Sequence, residues 1–459
     1  MAAETPREQL AGLIRYDALV LTALIWFLAK FLRYAFPPLF EPFQSTYGAS
    51  NDVLGLAFTT FMLVYAAMQF PSGVLADRVG SVTVITGGVV LASSASLVLL
   101  VDSPFIVLVV VMALMGAGTG AHKTVAVRLL ARAYPARTGR ALGVLDTVGA
   151  FGGVAAPAVV VFVAAVSVVP FIDTGWRQLF FLAGLVGLAL AVAFAIRVPK
   201  RLPSAAAPIS ARATTGQRDE GRTSEEQDDG EDQAEGPERT DPPERDERPV
   251  SEDRPSSSEG LGQYLALFRD RRFSGFVLAT ICFSFTYNGL VAFAPLYLIE
   301  EAGLATTTAS LLYSALFAVS LVQLVTGEVS DHVGTLPVIV AALAIAAGAM
   351  IAFVSLTGTG SAVALGGSLI LVGVGAHGFR PVRGAYLMET LPSSIAGGSL
   401  GVVRTLLMGA GAVAPAVVGV LSTRVGFRPA FWLLAASMTV ATLACALLLV
   451  TESRSFRVE

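Results

Sequence analysis

Polar and apolar positions in this chain alternate on the scale of whole helices. Apolar runs recur along it, each long enough to cross the ~30 Å hydrocarbon core of a bilayer as a helix. Short clusters of Arg, Asp, Gly and Pro separate them. The pattern predicts spans at about 17–40, 53–76, 81–101, 104–132, 140–168 and 177–197, then 273–299, 306–330, 336–356, 361–390, 397–422 and 427–450. Between the two sets lies a hydrophilic block rich in Asp, Glu, Arg, Ser and Pro, with stretches such as "SEEQDDGEDQAEGPERTDPPERDERP". Such a composition cannot bury enough apolar surface to offset the entropy of ordering, so the block is expected to be disordered. The expected organisation is an N-terminal tail at 1–15, a six-helix bundle at 16–199, a disordered acidic linker at 200–262, a second six-helix bundle at 263–451 and a tail at 452–459.

The two sets of spans repeat one another. "GVLADRVGS" (73–81) and "GEVSDHVGT" (327–335) share a charged turn bounded by glycines. "YAFPPLF" (34–40) pairs with "VAFAPLY" (291–297), "RALGVLDT" (140–147) with "GSLGVVRT" (398–405), "AAPAVV" (155–160) with "VAPAVV" (413–418), and "GWRQLFFL" (175–182) with "GFRPAFWL" (426–433). The matches keep one order and nearly one offset. Six helices per unit is an even number, so both copies insert the same way round. This is a parallel duplication about an axis along the membrane normal.

Composition agrees with a membrane protein. The chain is 54% hydrophobic and only 14% charged, against about 25% charged in soluble domains. Its two cysteines, Cys282 and Cys445, both fall in apolar runs, so no disulfide framework or metal site is expected. The N-terminus carries no convincing signal peptide, so the first apolar run is expected to be retained. Arg and Lys gather at alternate loops, at Arg15, Arg78, Arg132, Arg137, Arg140, Arg197, Lys200, Arg201, Arg269, Arg271 and Arg272. The positive-inside rule then places both termini and the linker in the cytoplasm, with Arg177, Arg424 and Arg428 as exceptions.

At these residues the chain resembles the major facilitator superfamily. "GVLADRVG" is similar to the superfamily's loop signature after helix 2, and "GEVSDHVG" to its degenerate copy after helix 8. "GAGTGAHKTVAVRLLARAYPARTGRALG" (116–143) resembles the helix 4 to helix 5 region. Two features depart from the pattern: Ser81 and Val82 stand where basic residues usually follow, and "DTVGAFGGVAAP" lacks the proline of the drug-antiporter motif. The resemblance implies an all-α membrane protein with 12 transmembrane helices in two pseudo-symmetric six-helix bundles. It also implies alternating access, with helices 1, 4, 7 and 10 lining a central cavity.

Charges at bilayer depth are costly and mark functional sites. Lys30 lies about 20 Å along helix 1, and Arg33 and Tyr34 follow on the same face. Lys123 lies about 14 Å from the near end of helix 4, and Arg380 about 15 Å from that of helix 10. The repeat makes Lys123 and Arg380 equivalent, so they are expected to face each other as cations if both point inward, with structural pairing to a carboxylate as the alternative for each. The chain has three lysines, Lys30, Lys123 and Lys200, and two are at membrane depth. With Tyr287 and Asn288 on helix 7, the expected substrate-binding set is Lys30, Arg33, Tyr34, Lys123, Tyr287, Asn288 and Arg380. Asp146 is the clear intramembrane acid. Positive charge is therefore left over for an anionic substrate, which arginine captures in bidentate fashion. His122, Asp146 and His377 are the proton-coupling candidates, with hydrogen-bonded packing as the alternative for each histidine. Gly73, Asp77, Arg78, Gly80, Asp331 and Arg404 form the expected gate: Asp77 would meet the start of helix 11, and Arg404 with it, when the cytoplasmic side is shut. Glycine runs such as "GAGTG" and "GAFGG" are expected to let helices approach closely.

The reading that follows is a monomeric secondary transporter of the cytoplasmic membrane, moving a small anionic metabolite on a proton or ion gradient, without cofactor, metal or nucleic acid. Efflux of amphipathic drugs is the alternative, and a ligand-sensing transceptor is the alternative of another class. The chain shows no catalytic cluster for a membrane enzyme and no nucleotide-binding domain for a pump.

Overall fold

The computed structural model describes residues 16–166, 169, 175–202, 267–390 and 396–455. The tails and the acidic linker expected at 200–262 lie almost wholly outside the described residues. Twelve helices are long and apolar enough to span a bilayer. They are α1 (Asp17–Tyr47), α2 (Asn51–Val79), α3 (Ser81–Val98), α4 (Phe105–Ala133), α5 (Pro135–Ala165) and α6 (Gly175–Arg201). The second half holds α7 (Arg271–Glu300), α8 (Thr306–Val333), α9 (Thr335–Thr359), α10 (Ala362–Thr390), α11 (Ala396–Val425) and α12 (Phe427–Ser455). No strand occurs among the described residues. We call the side on which α1 begins and α12 ends the near face, and the other the far face.

The first helix runs further than its hydropathy suggests. Pro37 and Pro38 cannot continue an α-helix, but a 3-10 turn at Pro37–Leu39 absorbs them and the helix resumes at Phe40–Tyr47. Gly48, at φ 63°, then ends it. The duplicated charged turns have a matching backbone. Gly80 (φ 89°, ψ 148°) closes α2 and Gly334 (φ 93°, ψ 155°) closes α8, in a region that side chains with a Cβ rarely adopt.

Packing repeats the duplication. α2 packs on α4, α1 on α5, α3 on α4 and α3 on α6 in the first bundle. α8 packs on α10, α7 on α11, α9 on α10 and α9 on α12 in the second. Two seams related in the same way, α2 with α11 and α5 with α8, join the bundles. Gly55 and Gly419 allow the first of these. A Cβ on Gly55 would collide with the Pro415 carbonyl, and one on Gly419 with that of Asn51.

Large apolar side chains point outward all round, among them Phe70, Val192, Leu324, Leu443 and Leu447. A bilayer would cover such a belt, which a monomer in water would not tolerate. Arg177, an exception to the charge pattern, is buried. It pairs with Asp102 and donates to the Leu99 and Leu100 carbonyls at 3.4 Å each. Its charge is spent within the first bundle.

The bundles are latched at the far face. Phe40 of α1 meets Phe293 of α7 edge-on at 5.2 Å, and Tyr34 lies 4.4 Å from Phe317 of α8. Thr306 donates to Glu41 at 2.6 Å, Gln44 to Glu300 at 3.3 Å, and the Asp52 amide to Thr423 at 3.1 Å.

Candidate functional site

The site begins on one face of α1. Trp26, Lys30, Arg33 and Tyr34 are spaced at helical intervals of three and four, so their side chains stack along it. The glycines of "GAFGG" in α5 receive that face. A Cβ on Gly149 would strike the Trp26 ring, and one on Gly152 the Phe27 carbonyl, with Lys30 Cβ 3.0 Å away. Gly153 would sit 3.1 Å from both Tyr34 and Phe317. The small residues thus bring α5 against α1 and hold its cations in place. Lys30 Nζ lies 5.1 Å from the Trp26 ring centre and 5.4 Å from that of Tyr34. Arg33 lies 5.5 Å from the rings of Tyr34 and Tyr65 and donates across the bundles to Asn288 Oδ1 at 2.9 Å.

The second bundle supplies the facing wall. Asn288 Nδ2 donates to the Ser284 carbonyl at 2.9 Å, and Ser284 Oγ to the Leu407 carbonyl at 2.7 Å, which fixes the polar face of α7 against α11. The Arg380 guanidinium lies 4.2 Å from the Tyr287 ring centre. Arg383, one turn on, lies 5.7 Å from that of Phe379. Arg404 of α11 donates to Gln69 Oε1 of α2 at 2.9 Å. Between the walls is a cavity of about 420 Å³. Lys30, Arg33, Arg380, Arg383 and Arg404 line it, and no carboxylate does among the described residues. Met62, Phe283, Leu387 and Leu407 supply apolar wall between the cations.

The family model of the Major Facilitator Superfamily matches residues 22–411 and 321–458. The chain belongs to this superfamily. Its fold agrees. A bacterial homologue of the human lysosomal transporter Spinster, in an inward-facing and unoccupied conformation, superposes with a TM-score of 0.69 at 17% identity, over 98% of this chain and 97% of that one. A D-xylose–proton symporter gives 0.67 at 14% identity, over 94% and 97%. At such identities the likeness is one of fold. In sequence, the chain is 28% identical over 182 residues to a probable sulfoacetate transporter of Cupriavidus necator, 39% of this chain and 41% of that protein. It is 29% identical over 164 residues to a multidrug resistance protein B homologue of Mycobacterium tuberculosis, 36% of this chain and 29% of that one. The matches therefore span about two-fifths or less of these relatives' own length.

Of the superfamily-type residues singled out in the sequence, Lys30, Arg33, Tyr34, Tyr287, Asn288 and Arg380 come together on the cavity wall. Lys123 does not. It forms an ion pair with Asp146 of α5, and its Nζ lies 5.2 Å from the centre of the Trp26 ring. The expected facing pair of free cations, Lys123 and Arg380, is thereby corrected: the duplication equates their positions, but α5 offers Lys123 a carboxylate. His122 is buried and stacked on Trp26 at 5.7 Å, and His377 is buried edge-on to Tyr287 at 6.2 Å. Both pack behind the wall.

The gate residues also part. Asp77 pairs with Arg128 of α4 at 2.7 Å, inside its own bundle, and Arg128 also donates to the Gly73 carbonyl at 3.4 Å. Asp77 and Arg404 therefore do not meet in this conformation, because Arg128 and Gln69 are the nearer partners. Arg78 and Asp331 are exposed at the near face. Sequence reasoning missed Trp26, Gln69 and Arg128. The lysines at positions 30 and 123 gave no hint that they would share one aromatic ring, at 5.1 and 5.2 Å from its centre.

Proposed function

We propose that this transporter carries a small organic anion across the cytoplasmic membrane by alternating access, coupled to a proton or ion gradient, with its near face in the cytoplasm. One observation carries the reading: among the described residues, five cationic side chains and no carboxylate line the cavity between the bundles. Unbalanced positive charge at bilayer depth is costly, and an anion that enters relieves it. Arginine suits carboxylate, sulfonate or phosphate groups because its planar fork donates two parallel hydrogen bonds. The similarity to a probable sulfoacetate transporter supports an anionic cargo. The Arg and Lys residues at the near-face loops support the orientation.

The Lys123–Asp146 pair is the proposed coupling element. Asp146 is the acid that balances the charge of Lys123 inside the first bundle. Protonating Asp146 releases an ammonium group beside Trp26, which also bears Lys30. The charged turns are the proposed near-face gate. With that face closed, Asp77 exchanges Arg128 for the start of α11, and Asp331 takes the corresponding place at α5.

The similarity to a multidrug resistance protein homologue favours a second reading, efflux of amphipathic compounds. The cationic cavity disfavours lipophilic cations as its substrates. Uptake of labelled organic anions into proteoliposomes, with and without a pH gradient, separates the two. Anion uptake that responds to the gradient and drops at least tenfold in Arg380→Ala is expected. Competition by lipophilic cations with no response to anions counts against the anion reading.

A further inference from the structure

The five cavity cations are not gathered at one point. Along the helices they form two tiers. Lys30 and Arg33 stand about 20 and 24 Å from the start of α1, beside the ring of Tyr34. Arg33 bonds Asn288 of α7, and the Arg380 guanidinium lies over Tyr287, the residue before Asn288. Arg383 and Arg404 stand about 10–12 Å from the near-face ends of α10 and α11. Arg404 is held at its level by Gln69, and Arg383 lies one helical turn nearer the near face than Arg380 on α10. Apolar side chains, Phe283 and Leu407 among them, share the wall with both tiers.

We propose that the substrate carries two anionic groups joined by a short carbon skeleton. One group docks in the deep tier among Lys30, Arg33 and Arg380, and the other in the shallow tier at Arg383 and Arg404. The inference rests on the anion reading and sharpens it. A single carboxylate or sulfonate satisfies one tier and leaves the other to repel itself across the cavity. A dianion compensates both, and its hydrocarbon middle lies along the apolar wall. The cavity volume of about 420 Å³ suits a small molecule of this kind together with retained water.

The test is calorimetric binding to the purified full-length protein at constant ionic strength, using size-matched probes: succinate against butyrate, and sulfoacetate against ethanesulfonate. Each dianion is expected to bind at least tenfold tighter than its monoanion partner. In Arg383→Gln/Arg404→Gln that preference falls to under threefold, because dianion affinity drops by more than monoanion affinity does. In Arg383→Lys/Arg404→Lys the preference survives. Equal binding of mono- and dianions by the wild type overturns the two-tier proposal and leaves the anion reading standing. Binding of neither class, with lipophilic cations bound instead, overturns both. The wild-type comparison decides the matter even where a variant fails to fold.

Discussion

Trp26 presents its ring to two ammonium groups, Lys30 at 5.1 Å and Lys123 at 5.2 Å. These contacts separate the two lysines by role. Lys30 faces the cavity with aromatic rings and no acid as neighbours, whereas Lys123 has Asp146. A double-mutant cycle of Lys123→Ala and Asp146→Ala, read by thermal unfolding in detergent, is expected to give a coupling of about 1 kcal/mol, since partial exposure screens the pair. Strictly additive effects would show that the pair contributes nothing. Position, charge and helical spacing were enough to mark Lys30, Arg33 and Arg380 from the sequence. For Lys123 the sequence left two readings open, a carboxylate such as Asp146 or a substrate, because that choice depends on which helix face turns toward which neighbour.

At the scale of elements, the glycine face of α5 controls where the cations of α1 stand. Gly152→Val is expected to force α5 and α1 apart, cost about 1–3 kcal/mol through overpacking, and weaken anion binding together with stability. Gly143, on the same helix, faces open space. Gly143→Ala is expected to leave binding unchanged and gain up to about 1 kcal/mol from helix propensity. Unfolding temperatures and titrations of the two variants check both statements, and equal behaviour would remove the packing argument. The role of "GAFGG" in close approach was legible from its small residues inside an apolar span. That its three glycines would meet Trp26, Lys30 and Tyr34 in turn was not, since the register of α1 against α5 is set by the whole bundle.

The whole molecule is closed at the far face by aromatic and hydrogen-bonded contacts between the bundles, while the cavity lining runs toward the near face. Transport requires those contacts to part. In a background without Cys282 and Cys445, a reducible bifunctional thiol cross-link between Phe40→Cys and Phe293→Cys is expected to stop transport and reduction to restore it, because the native rings, 5.2 Å apart, put these positions on facing helices. Full transport by the cross-linked protein would place the moving seam elsewhere. The same scale explains Asp77. Its turn was recognisable from the motif, yet its partner depends on conformation, and with the far face shut that partner is Arg128.

The sequence alone determined the number of spans, the parallel duplication, the superfamily and the depth of the charged residues. The spans, the duplication and the depths follow from hydropathy, helical period and chain order, and the superfamily from the resemblance of its motifs, all of them local or linear properties. Only the tertiary structure decided which cations stay without an acid, which pair within a bundle and which bridge the two. Charge compensation in a low-dielectric interior depends on contacts between helices far apart in sequence, and a linear pattern does not contain them.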